Sequence, residues 1–164
     1  MKKLLLTALM IILIAVSCKK DPTPPPIEEK EQIIFAGNQI GSGIQEFEIK
    51  ESHTIKKGTY LLKGWVYITS GATLTIEPGT IIKGDKETKA ALIVETGGKI
   101  IAQGTKDLPI IFTSAQPAGS RKPGDWGGII VCGKATNNKT EMIIEGGPRS
   151  KHGGNDDADN SGVI

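Results

Sequence analysis

"TLTIEPGTIIKG", residues 73–84, alternates apolar and polar side chains at Leu74 and Ile76, breaks at Pro78-Gly79, resumes at Ile81-Ile82 and closes at Gly84. A comparable run, "LIVETGGKIIAQG", follows at residues 92–104 and breaks at Gly97-Gly98. Period-two alternation over a few residues marks a short strand, and Pro or Gly between such runs marks a corner. Val66/Ile68 and a Ser70-Gly71 corner precede the first run, and Ile110/Phe112 follow Pro109 after the second. Strands this short suit a solenoid, in which each strand stacks on its counterpart one coil later at ~4.8 Å. Leu74 to Leu92 and Gly79 to Gly97 are both 18 residues apart, which predicts Leu74 stacked on Leu92 and Ile76 on Val94. The fold class is therefore all-β, a parallel solenoid, with a β-sandwich as the alternative. Against the sandwich, no Asn-Gly or Asp-Gly two-residue hairpin signal lies between the strands.

The start of the chain reads differently. Met1-Lys2-Lys3 is basic, and residues 4–17, "LLLTALMIILIAVS", carry no charge. That apolar run falls short of the ~20 residues that span a bilayer as a helix and fits a secretory signal. Ala15 and Ser17 stand just before Cys18, and polarity changes abruptly after it. This is similar to a lipoprotein signal over residues 1–17, with Cys18 as the first mature residue and the site of lipid attachment. Buried acyl chains contribute about 0.8 kcal/mol per CH₂, so several of them anchor a protein firmly. Residues 18–32, "CKKDPTPPPIEEKEQ", form a proline-rich tether, extended and without an apolar face. The expected location is the outer membrane or cell surface, with the membrane as a partner through the lipid.

The full chain of 164 residues has 20 basic and 18 acidic side chains. Removing residues 1–17 takes two lysines and leaves the two signs equal, which provides no electrostatic footprint for nucleic acid. With Cys18 acylated, Cys132 has no cysteine to pair with, so packing must supply the stability. Residues 33–59 read as a lead-in strand or cap, and residues 60–164 as the coils. The last residues, "NSGVI", start an apolar strand with no cap after it. A solenoid needs its terminal coil covered, so the expectation is an N-terminal fragment of a longer solenoid, poorly packed after Pro148.

Three stretches carry a resemblance: "GWVYITSGATLTIEPGTIIKGD", "ALIVETGGKIIAQGTKDLPIIFTS" and "PGDWGGIIVCGKA". Over about residues 58 to 164 the chain resembles the N-terminal part of Bacteroidota cell-surface lipoproteins of the right-handed parallel β-helix, pectin-lyase-like type. The resemblance implies that fold and a surface location. It does not select an activity.

Residues suited to chemistry are sparse. Trp126, beside Asp125 in "GDWGG", reads as a corner cover, or as an aromatic platform on which a sugar ring stacks. Cys132 lies in the apolar run "GIIVCG" and reads as a small buried hydrophobe, with neither His53 nor His152 patterned to activate it. Asn155, Asp156, Asp157, Asp159 and Asn160 offer oxygen ligands suited to Ca²⁺, and a solvated loop explains them equally. Glu77, Glu95 and Asp125 are candidate carboxylates, the first two read as a repeat-related ladder on the surface. No zinc spacing, phosphate loop or nucleophile motif occurs. The function expected is a surface-anchored solenoid that binds or scaffolds, with glycan or an envelope protein as partner. The alternative is a polysaccharide lyase or glycoside hydrolase on the same fold.

Overall fold

The computed structural model describes residues 36–44, 46–139 and 141–164. The signal, the tether and Cys18 lie outside them. Among the described residues no helix is long and apolar enough to cross a membrane.

The chain winds as a right-handed parallel β-helix with three walls. The first coil holds β1 (Gln39–Ile40), β2 (Phe47–Ile49) and β3 (His53–Ile55). Next come β4 (Thr59–Leu62), β5 (Trp65–Ile68) and β6 (Thr73–Ile76), then β7 (Ile81–Gly84), β8 (Ala91–Val94) and β9 (Lys99–Ile101). The fourth coil begins with β10 (Ile111–Ser114) and β11 (Gly128–Val131). An excursion then forms an antiparallel pair, β12 (Met142–Ile143) with β13 (Lys151–His152), before β14 (Gly162–Val163) rejoins the helix. The walls run β1-β4-β7-β10, β2-β5-β8-β11 and β3-β6-β9-β14, with parallel neighbours throughout.

Alternation explains the core. Ile49, Ile68 and Val94 stack in register on the second wall, and all three are fully buried. Leu74 stacks on Ile100 across the third wall. Corners stack as well: the Gly71 N–H donates to the Gly97 carbonyl at 2.9 Å, and both glycines take a positive φ that a side chain would strain.

The register corrects one expectation. Leu92 stacks on Val66 and Val94 on Ile68, not on Leu74 and Ile76. An 18-residue step joins two different walls of neighbouring coils, whereas the true step here is 26 residues, Leu74 to Ile100 and Val66 to Leu92. The turn after Gly84 lengthens that coil and hides the period.

Two boundaries differ as well. From Gln39 onward, the stretch read as a lead-in is already a complete coil in register with the next. Coils do not run unbroken through residues 60–164, because residues 132–161 leave the helix between β11 and β14. After Pro148 most side chains are exposed, Val163 and Ile164 among them, although Ser150 is buried and β14 pairs with β9.

At β5 and β8 the second wall is buried on both faces. Its outward Tyr67, Ala91 and Ile93 form a second apolar cluster with Cys132, against which Trp65, Ile130 and Ile144 pack. Ile144 belongs to the excursion, so the strap of residues 141–152 covers the outer face of this wall.

Candidate functional site

The strap is fastened by Arg149. Its guanidinium carbon lies 4.5 Å from the centroid of the Tyr67 ring, within cation–π range. Its nitrogens pair with Glu48, with Glu46 at 3.6 Å and with Glu95 at 3.4 Å. One side chain thus touches the first coil and its lead-in turn, the second coil and the third. The Ser150 hydroxyl donates to Glu95 at 3.0 Å, and the Thr96 hydroxyl donates to the Lys151 carbonyl at 2.9 Å. Lys50 pairs with Glu48 at 2.7 Å. Hydrogen bonds from Lys50 and then Arg149 hold the Glu48 carboxyl below its usual range.

An open cleft of about 340 Å³ lies beside this fastening, lined by Glu95, Thr96, Arg149, Ser150 and Lys151. It brings a carboxylate, two cations and two hydroxyls to one opening. Beneath the strap the Tyr67 hydroxyl is buried, and burial raises its pKa. Cys132 is buried too, its thiol pushed up to about 11 first by burial and then by the Glu95 charge. A thiol held protonated is a poor nucleophile.

Asp125 and Trp126 occupy the corner between the first and second walls. Asp125 is buried, and its Oδ2 accepts from the Ser114 hydroxyl at 2.8 Å and the Lys122 N–H at 2.9 Å. Lys86 stands 3.6 Å from its other oxygen. The Lys122 N–H, then the Ser114 hydroxyl, keep this carboxyl ionised below its ordinary range. Trp126 is half-buried and packs against the core above Gly84, where any Cβ would overlap the indole. The pair closes the 115–127 turn.

The remaining candidates are dispersed. Glu77 accepts from Lys56 Nζ at 2.8 Å and from the Lys57 N–H at 2.9 Å, gripping the previous coil. It follows β6 on the third wall and Glu95 follows β8 on the second, so the two are not mates in a ladder. In the acidic loop, Asp159 accepts from the Lys134 N–H and Asp157 from the Thr136 N–H. Asp156 accepts from the Ala158 N–H, Asn160 from the Gly162 N–H, and Asn155 is exposed. Among the described residues, no three His, Cys, Asp or Glu side chains converge where they could hold a metal ion.

Sequence reasoning missed Arg149, Glu48 and Tyr67. A signal was present: "WVYI" and "ALIV" are unbroken apolar runs, and a strand apolar on both sides needs a cover on both. A family model described as a pectate-lyase-like beta helix domain matches residues 47–164. No curated protein and no solved structure matches the chain.

Proposed function

Because the chain belongs to the pectate-lyase-like β-helix domain family, we propose that it serves as a β-solenoid that binds or scaffolds, carried at the outer membrane or cell surface by lipid on Cys18. Glycan or another envelope protein is the partner. One observation carries this reading: the carboxylates suited to chemistry are already engaged in holding the fold. Glu77 grips Lys56 and Lys57, Asp125 ties the corner turn, and Glu95 anchors the strap. Fold alone does not choose among activities, so the use of these side chains decides.

A glycan array and a reducing-sugar assay on the full-length chain test it. Binding without turnover is the expected result. Turnover of a polysaccharide, lost on Glu95→Gln, would establish the second reading, a lyase or glycoside hydrolase. The cleft favours that reading, since Glu95, Arg149 and Lys151 share it and acid–base groups are what such reactions need. For the anchor, cells fed an acyl-chain analogue should label the wild type and not Cys18→Ala. Unlabelled wild type, released in soluble form, would rule the anchor out.

A further inference from the structure

We infer that the strap of residues 141–152 is a latch, a cover that swings off the second wall as a unit and bares Trp65, Tyr67 and Cys132 while the coils stay folded. The latch holds whichever activity the solenoid has.

The strap pairs its backbone with itself, and it meets the wall beneath through side chains. β12 and β13 pair with each other, and the Ile144 N–H donates to the Ser150 carbonyl at 3.1 Å. Its base is pinned: the Gly153, Gly154 and Asp156 N–H groups donate to the Gly133, Ala135 and Lys134 carbonyls. Gly153, with positive φ, stands where the strap joins that base. A pinned base, a self-paired hairpin and a glycine at their junction make a body that moves without unwinding a coil.

Its hold on the wall is mostly polar. Arg149 reaches three carboxylates, Ser150 one of the same, and Thr96 the Lys151 carbonyl. The Arg149 side chain keeps 39% of its surface exposed, so salt screens these pairs. The apolar hold is confined to a few contacts: Pro148 is buried, Ile144 packs on the cluster, and Gly147 lies close against the Trp65 ring. Opening a coil would instead expose stacked Ile, Leu and Val side chains, so the strap is the cheaper element to release. The bared face presents two aromatic rings beside Glu46, Glu48 and Glu95.

Cys132 reports the motion, because it lies buried in the cluster that Ile144 helps to cover. The full chain with Cys18→Ser leaves it as the sole thiol. Uncharged iodoacetamide at fixed neutral pH then measures opening. Arg149→Gln should label about tenfold faster than the parent, with unchanged far-ultraviolet circular dichroism. The parent should label several-fold faster in about 1 M than in about 0.05 M NaCl, since the screening length falls to ~3 Å at the higher salt. Should Arg149→Gln fail to fold, the salt comparison on the parent decides alone. Equal labelling of a folded variant and its parent, or a parental rate indifferent to salt, overturns the latch.

Discussion

Glu77 shows how a single side chain couples neighbouring coils. Its carboxyl is held below the ordinary 4.5, first by the Lys56 ammonium and then by the Lys57 N–H. A depressed carboxyl contributes stability above its unfolded pKa and loses it as pH falls through the folded one. Glu77→Gln should therefore lower stability at neutral pH and flatten its decline below about pH 4.5, measured by urea unfolding across that range. An acid limb identical to the wild type would deny Glu77 this role. Packing sets larger effects. Leu74 is fully buried on Ile100, and Leu74→Ala should cost about 2–5 kcal/mol. At Gly84 the constraint is space, because a methyl group there meets the Trp126 ring. Gly84→Ala should cost about 1–3 kcal/mol by overpacking and shift the tryptophan emission. A neutral Gly84→Ala would mean that Trp126 has room to move.

Strand β8 has every residue buried. Ile93→Lys would place a charge beneath the strap, so the cover should become protease-sensitive while the inner core of Val66, Leu92 and Val94 persists. Limited proteolysis with mass analysis of the cut sites checks this, and resistance equal to the wild type would contradict it. The acidic loop leads to a different expectation. Its carboxylates cap backbone N–H groups without converging, so millimolar Ca²⁺ should leave the melting temperature unchanged. A rise with Ca²⁺ and not Mg²⁺ would support the metal reading. Strands and corners were legible because alternation and Pro or Gly breaks are local signals. The register was not, since corner turns of unequal length carry no local mark of which wall comes next. Trp126 was legible as a corner cover from the glycines around it. Arg149 was invisible for a plain reason: its partner Glu48 lies 101 residues away, and nothing local announces such a contact.

Among the described residues, burial is uneven along the stack. Ile40, Ile49 and Ile55 of the first coil are buried, whereas Val131 is 47% and Ile164 61% exposed. Stacked repeats draw stability from their neighbours, so amide exchange should be slowest in β5 and β8 and fastest in β10, β11 and β14. Uniform protection along each wall would contradict this. The strap adds a contact that a simple stack lacks, since Arg149 skips from the third coil to the first. That geometry also imposes an order in time. Glu48 and Arg149 stand 101 residues apart in the chain, so their contact closes a long loop. The intervening residues can wind into coils by local steps, each closing only a short loop. Arg149 has nowhere to bind until Glu48, Tyr67 and Glu95 have been brought into line by that winding. The strap therefore seats only after the first three coils have wound, and a chain cut short before Arg149 would carry its second wall uncovered.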